Sequence, residues 1–277
     1  MRKKINLDFH ETFQPEMPYI SKILGLAIAE YHGNKFEISG LTGIPTGKEK
    51  GKVEPHIKYA KLMGLIDYSY EKGVYRLIAT DVGSEVRRQD KYLHEILTVW
   101  LCHYCISRPE LGAPQWTYIV RNANMGFTSD ISPDFVYSGA QRELECKSIL
   151  DARKAFSVVK GSYTGGCFTS LDYLRWDEII SFVEKREQIE LMFLYAFALL
   201  DSWDILYPDN NEITFPEVME KIAFGKIFGL NDEDTDSILC SLEEKGIIKI
   251  NRQLFPITVI KTASKEEIIP RLYNMLM

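Results

Sequence analysis

The sequence lacks any long apolar run, and its cysteines are few and scattered. The longest apolar run, Leu191–Leu200, falls well short of the roughly 20 residues that a membrane-spanning helix needs. The basic start MRKKINLDFHETF is not followed by the apolar segment of a secretory signal. The five cysteines are odd in number, which argues against a disulfide framework and favours reduced thiols. We therefore expect a cytoplasmic protein that does not enter a membrane.

The charge of the chain is small overall but unevenly distributed. The 33 Lys and Arg against 39 Asp and Glu give a net charge of −6, which argues against a protein that coats nucleic acid over its whole surface. Residues 1–93 nevertheless hold 15 Lys and Arg against 12 Asp and Glu, a net charge of +3, so the remainder carries −9. This asymmetry favours DNA contact at the N-terminal end alone.

The N-terminal segment follows the order helix, strand, helix, helix and hairpin that is typical of a winged helix-turn-helix. Residues 14–33 show helical periodicity, and residues 35–39 (KFEIS) predict a short strand. A Gly- and Lys-rich turn then leads into a helix that we expect Pro55 to open and Gly64 to end. The alternating residues on both sides of a turn at 71–73 predict a hairpin, which would form the wing.

The helix after the Gly- and Lys-rich turn carries most of the residues that we expect to contact DNA. Lys52, His56 and Tyr59 fall at i, i+4 and i+7 and should share an outer face. A helix N-terminus favours phosphate oxygens, and each lysine can release a counterion. The wing, Lys72–Arg76, would add contacts. The expected DNA-binding residues are Lys48, Lys50, Lys52, His56, Lys58, Tyr59 and Lys61. The alternative is a winged helix that contacts only proteins.

The remaining segments predict mostly buried helices. Residues 94–112 are apolar on almost every side, which indicates burial and makes the Cys-His-Tyr-Cys sequence there a core feature rather than a zinc site. Residues 176–200 predict a long helix. The last part repeats the winged-helix pattern, with a capping box at Thr214 and Glu217. Its second helix carries six carboxylates that phosphate would repel, so we expect this part to dock a protein or to dimerise.

The length of 277 residues suits two or three small domains. We expect a mainly α protein with small β-hairpins, in which two winged helix-turn-helix modules flank a helical middle. The expected parts are a DNA-facing module (1–93), a helical middle domain (94–200) and a protein-docking module (201–277). No low-complexity linker separates them, so we expect them to pack together as one body.

One chemical signature stands out, in which Asp134 follows a proline and precedes Glu145 and Lys147. This has the form of the PD…ExK nuclease motif. In that chemistry two carboxylates hold Mg²⁺, which activates water, while the lysine positions the nucleophile. It would make Asp134 and Glu145 the metal ligands and, with Lys147, the catalytic residues. The alternative is a helix with Ser132 as N-cap and Pro133 at its first position, which accounts for the same residues without chemistry.

Two stretches, HETF at 10–13 and GIPTGKEKGKVEPHIKYAKLMGLI at 43–66, carry a resemblance to a known family. The chain resembles the bacterial domain-of-unknown-function family 4007, whose members occur in DNA phosphorothioation and phage-defence islands. One relative, SspB, is described as a DNA-nicking component. The resemblance implies these family-motif positions: His10, Glu11, Thr12, Phe13, Gly47, Lys48, Lys52 and Tyr59.

Together these features predict a DNA-binding component of a DNA phosphorothioation and anti-phage defence system. Its partners would be double-stranded DNA, other proteins of that system and a second copy in a homodimer. If it also nicks DNA, it would need Mg²⁺, and otherwise it would need no cofactor. Two alternatives stay open: a winged-helix transcription regulator that binds one palindromic site, and a non-catalytic scaffold that binds modification proteins.

Overall fold

The computed structural model describes residues 6–127, 129–253 and 255–276. An N-terminal module, residues 17–89, contains four helices and a small sheet. Its elements are α1 (Met17–Ile28), β1 (His32–Gly33), α2 (Lys35–Thr42), α3 (Val53–Leu62), β2 (Ile66–Glu71), β3 (Val74–Ala79) and α4 (Asp81–Gln89). The sheet is antiparallel with the strand order β1-β3-β2.

Residues 35–39, which the sequence predicts as a strand, form the first turns of α2 instead. The Asn34 side chain accepts hydrogen bonds from the backbone N–H groups of Phe36 and Glu37, and the Glu37 carboxylate accepts one from the Asn34 N–H. This reciprocal capping box satisfies free donors at the start of the helix. The predicted strand is therefore wrong, because a local cap outweighs a short alternating pattern.

The hairpin and the helix before it agree with the sequence prediction. β2 pairs with β3 from Ile66↔Ala79 to Glu71↔Val74, and Lys72 and Gly73 form the turn with positive φ angles. α3 begins two residues before Pro55, and Gly64, with a φ of 73°, lies just beyond its end. A positive φ at this position is the usual way to end a helix, and glycine adopts it without steric cost.

The middle of the chain is mostly helical and largely buried. Its elements are α5 (Ile96–Ile106), α6 (Pro114–Thr117), a π-helical turn (Tyr118–Asn122), α7 (Pro133–Glu143), α8 (Ile149–Thr164), a 3-10 turn (Thr169–Leu171), β4 (Leu174–Trp176), β5 (Ile180–Phe182), a second 3-10 turn (Ile189–Leu191) and α9 (Met192–Leu206). All residues of α5 after Ile96 are buried, as its apolar sequence predicts.

The long helix predicted over residues 176–200 is wrong in its first half. Trp176 ends β4 and pairs with Ile180 in β5, so the chain turns back on itself before α9 begins at Met192. Buried and more exposed residues alternate along both strands, and this period of two fits a hairpin. The buried second half of the prediction lies within α9.

A C-terminal module repeats the order of the N-terminal one, with α9 as its first helix. Its further elements are β6 (Glu212–Thr214), a π-helical turn (Glu217–Lys221), α10 (Phe224–Phe228), α11 (Asp232–Glu244), β7 (Ile248–Asn251) and β8 (Thr258–Lys261), followed by α12 (Lys265–Ile268) and a 3-10 turn (Ile269–Arg271). The strand order is β6-β8-β7, which matches β1-β3-β2. The predicted capping box is present, since Thr214 and Glu217 exchange hydrogen bonds.

One hydrophobic core runs through the N-terminal module, the middle helices and the C-terminal module. Trp116, Trp176 and Trp203 are among its largest fully buried side chains. The chain is therefore mainly α with small antiparallel hairpins, as the sequence predicts. Within the described part of the chain, no helix has both the length and the apolar character needed to cross a bilayer.

Candidate nucleic-acid interface

The predicted outer face of α3 is covered by the residues that precede α1. His56 and Tyr59 are both 0% exposed. The Tyr59 hydroxyl donates to the Phe13 carbonyl at 2.9 Å, and the Glu16 backbone N–H donates to His56 Nε2 at 3.2 Å. The prediction of an outer face is therefore wrong for His56 and Tyr59, because periodicity locates a face but does not reveal what packs on it.

Lys52 reaches the edge of this covered face, where Glu16 neutralises it. Lys52 Nζ donates a hydrogen bond to Glu16 Oε1 at 2.8 Å, and this hydrogen bond raises the pKa of Lys52. The ammonium also lies over the rings of Phe13 and Tyr19, at 5.8 and 5.4 Å from their centroids. Lys52 therefore holds the N-terminal segment onto α3 in this conformation.

The His-Glu-Thr-Phe motif forms a tight turn within the covering segment. Glu11 and Thr12 have positive φ angles of 50° and 75°, and His10 Nδ1 accepts from the Thr12 backbone N–H at 3.0 Å. Burial lowers the pKa of His10 to about 4, so the ring is neutral and carries its proton on Nε2. That nitrogen is buried and has no hydrogen-bond partner within the described residues. These contacts make the motif an anchor for the start of the chain.

The Gly- and Lys-rich turn remains exposed and lies beside the β2–β3 hairpin. Lys35 Nζ donates to the Lys48 carbonyl and to the Glu54 carboxylate, both at 3.1 Å. Glu54 also accepts from the Tyr75 hydroxyl at 2.7 Å, and the rings of Tyr75 and Tyr70 lie 4.5 Å apart. This chain of contacts links the start of α2, the turn and the hairpin into one surface.

We call this region the turn–hairpin surface. Lys48, Lys50 and Lys72 on it are exposed and form no ion pair with any residue that the structure describes. Tyr70 is 54% exposed beside the hairpin turn. The acidic residues Glu49 and Glu71 lie next to these lysines in sequence and reduce the local charge. The surface consists of Lys35, Lys48, Lys50, Tyr70 and Lys72.

The two other predicted lysines of α3 point elsewhere. Lys61 Nζ pairs with Asp67 at 2.7 Å, and Lys58 Nζ lies 3.4 Å from the Phe9 carbonyl. Both line a cleft of about 1550 Å³, whose other wall includes Arg108 and Lys265. They are therefore separate from the turn–hairpin surface. This cleft could not be predicted from the sequence, because its walls come from distant parts of the chain.

Asp134 and Glu145, predicted as a metal pair, lie at opposite ends of α7. The segment is the helix of the alternative interpretation, with Ser132 as N-cap and Pro133 in the first turn. At 1.5 Å per residue, α7 places the backbone of Asp134 about 13.5 Å from that of Glu143, and Glu145 lies two residues beyond the end of the helix. Asp134 pairs with Arg153 at 2.8 Å.

Glu145 and Lys147 line a separate cavity of about 420 Å³ that also includes Asp8 and Asp151. Across the described residues, no three His, Cys, Asp or Glu side chains form a group that could hold a metal ion. Two of the three predicted catalytic residues, Glu145 and Lys147, therefore share a cavity, and Asp134 is not among the residues that line it.

The fold of this chain was compared with those of known proteins. No family model and no curated protein sequence matches this chain. Two solved structures do: a magnesium-ion-bound SspB crystal structure, with a TM-score of 0.77 and 15% identity, and an SspB crystal structure, with a TM-score of 0.75 and 16% identity. Each match covers 97% of this chain and 88% of the other. The expected resemblance to SspB-like proteins is confirmed for the fold.

Proposed function

We propose that this protein is a DNA-binding component of a DNA phosphorothioation system, and that it holds duplex DNA at the turn–hairpin surface. The observation that carries the proposal is the exposure of Lys48, Lys50 and Lys72 on one continuous surface. The N-terminal module would act as a winged helix with the β2–β3 hairpin as its wing. The SspB-like fold supports this assignment.

Contact would be made through phosphates rather than base edges. Bases in the major groove are read by an exposed helix face or by a β-ribbon that enters the groove. The outer face of α3 is covered by the N-terminal segment, with His56 and Tyr59 fully buried. Lysines on a turn and a hairpin can neutralise phosphates without entering a groove, which fixes orientation but carries little sequence information. We therefore propose weak selectivity for DNA sequence.

The acidic remainder of the chain would restrict DNA to this one side. Residues 94–277 carry a net charge of −9, and α11 in particular exposes Asp232, Glu233 and Asp236. Phosphates approaching that side would be repelled. The C-terminal module is therefore proposed to contact other proteins of the system rather than DNA.

Metal-dependent cleavage is not part of the proposal. One of the SspB structures is described as magnesium-ion-bound. In this chain α7 lies between Asp134 and Glu145, and the described residues offer no group of three His, Cys, Asp or Glu side chains that could hold a metal ion. We therefore propose that nicking activity belongs to a partner protein.

The test is the salt dependence of binding to a labelled 24-base-pair duplex, measured by fluorescence anisotropy. Three lysine–phosphate contacts would give a slope of log affinity against log salt of about −3. The double variant Lys48→Ala/Lys50→Ala should make this slope shallower, from about −3 to about −1, and should weaken binding by roughly tenfold. The matched control is Lys245→Ala/Lys249→Ala, which removes two exposed lysines from the C-terminal module and should change neither value.

Other outcomes would identify the alternatives. Binding that is equally weak in wild type and in the Lys48→Ala/Lys50→Ala variant would favour a scaffold that contacts proteins. One tightly protected site in a footprint, rather than many weak ones, would favour a transcription regulator. Relaxation of supercoiled plasmid in the presence of Mg²⁺ by wild-type protein would add nicking activity to this chain.

A further inference from the structure

A second basic site lies on the N-terminal module and includes no residue of the turn–hairpin surface. It is a cavity of about 420 Å³ between α1, the end of α2 and the loop that follows α4. Lys22, Arg87, Lys91 and His94 line it, and no aspartate or glutamate does. A concave surface with several cations and no carboxylate is suited to an anionic ligand.

Hydrogen bonds hold the walls of this cavity in place. The Lys91 carbonyl accepts from the Ser21 hydroxyl at 2.7 Å and from Arg87 Nη1 at 3.1 Å, which fixes the loop against α1. Lys22 Nζ donates to the Thr42 carbonyl at 2.8 Å, at the end of α2. The Arg87 guanidinium packs against α1, since a Cβ atom at Gly25 would lie in ordinary van der Waals contact with Nη2, at 3.4 Å.

The positive charge of the cavity is not neutralised within the described residues. Lys22, Arg87 and Lys91 form no ion pair with any described carboxylate. Asp90, the nearest acidic residue along the loop, is buried and directs its oxygens to the backbone N–H groups of His94 and Glu95, at 3.0 and 2.8 Å. A bound anion would supply the missing negative charge.

An exposed aromatic ring stands beside the cations. Tyr92 is 60% exposed, its ring lies 5.4 Å from Lys91 Nζ, and the ring of His94 lies 6.0 Å away. Proteins that bind single strands combine cations that follow the backbone with aromatic rings on which bases stack. A paired base in a duplex could not stack here without leaving its partner.

We propose that this cavity binds an unpaired nucleotide of single-stranded DNA. Its phosphate would lie against Lys22, Arg87 and Lys91, and its base would stack on Tyr92. This assignment rests on the proposed function in one respect, which is that the ligand is DNA. The strand could continue toward α3, because the Tyr19 ring lies 5.8 Å from Lys22 Nζ and 5.4 Å from Lys52 Nζ.

The test measures binding of the full chain to a fluorescein-labelled thymidine decamer by anisotropy. Lys22→Ala/Lys91→Ala and Tyr92→Ala should each weaken binding by about tenfold, the latter because stacking on one aromatic ring is typically worth that much or more. Neither should change the affinity for a blunt duplex. Lys91→Ala alone serves if the double variant fails to fold, because the Lys91 side chain makes no hydrogen bond to another described residue.

The controls separate this proposal from the one above. Lys48→Ala/Lys50→Ala should weaken duplex binding and leave decamer binding within about twofold, whereas Lys245→Ala/Lys249→Ala should change neither. Decamer binding that persists in both cavity variants would overturn the assignment. Weakening in Lys22→Ala/Lys91→Ala without weakening in Tyr92→Ala would also overturn it, because the cavity would then bind any anion rather than a nucleotide.

Discussion

At the scale of single residues, partners decide roles that spacing alone cannot assign. Lys52 is the lysine whose position favours phosphate contact, yet Glu16 pairs with it from 36 residues earlier in the chain. His56 has both ring nitrogens engaged: Nδ1 lies 2.6 Å from the Lys52 carbonyl and Nε2 accepts from the Glu16 backbone N–H. A histidine that donates at one nitrogen and accepts at the other is neutral, and burial accordingly lowers its pKa.

Three buried histidines predict that the protein loses stability in mild acid. Burial lowers the pKa of His10 and of His103 to about 4, and it also lowers that of His56. In the unfolded chain a histidine titrates near 6.5, so below that pH the unfolded state binds protons that the folded state does not. The stability that these residues contribute is present above about pH 6.5 and is lost as the pH falls toward 4.

Urea unfolding followed by tryptophan fluorescence between pH 7 and 4.5 would measure this effect. Each such histidine should make the free energy of unfolding fall by up to about 1.4 kcal/mol per pH unit. His10→Asn retains an acceptor for the Thr12 N–H. This variant should remove one histidine's contribution to the pH dependence of the free energy of unfolding. The exposed His32→Asn is the control and should leave the slope unchanged. Equal slopes for His10→Asn and wild type would contradict a neutral, buried His10.

At the scale of elements, local signals predicted most helix ends and the hairpin, but not every element type. Ser132 and Pro133 begin α7, and Gly64 ends α3, as their sequence preferences indicate. The helix predicted over residues 176–182 was wrong because apolar residues in a short stretch fit a helix and a buried hairpin equally well. Tertiary packing against α8 and the core selected the hairpin.

Two glycines of the N-terminal module should respond oppositely to alanine. Gly64 has a φ of 73°, and a Cβ atom there would lie 2.9 Å from Cys105 Sγ, so Gly64→Ala should destabilise the protein by about 1–3 kcal/mol. Gly40 lies inside α2 with no atom within 4 Å of its Cβ position, so Gly40→Ala should stabilise it by about 0.5–1 kcal/mol. Thermal unfolding by circular dichroism measures both. A gain in stability for Gly64→Ala would show that the end of α3 does not need this conformation.

At the scale of the whole molecule, a buried ion cluster connects distant parts of the chain. Asp201 in α9 accepts from the Tyr104 hydroxyl of α5 and from Lys265 Nζ of α12, both at 2.8 Å, and lies 3.5 Å from Arg108 Nη1. Burial alone would raise the pKa of Asp201, but Arg108 and Lys265 hold it below its usual value. The cluster lies at one wall of the large cleft and ties the middle helices to the C-terminal module.

Removing the charge of Asp201 should therefore destabilise the molecule as one unit. Asp201→Asn leaves the partly buried guanidinium of Arg108 without its counterion, and breaking a buried pair costs up to about 3–5 kcal/mol. Urea unfolding should show an earlier midpoint but still a single transition, because one core runs through the chain. Asp236→Asn, on the exposed side of α11, is the control and should cost less than about 0.5 kcal/mol. Two separate transitions would indicate that the modules unfold independently.

The sequence by itself determined the mainly helical class, the hairpin at residues 66–79, the burial of α5 and the uneven distribution of charge. These follow from periodicity, turn residues and composition, which act between neighbours in the chain. Only the tertiary structure decided that Glu16 neutralises Lys52 and that α7 separates Asp134 from Glu145. The tertiary structure also places Lys22, Arg87 and Lys91 around one cavity. Such arrangements depend on contacts between residues far apart in the chain, and one unaligned sequence carries no signal for these contacts.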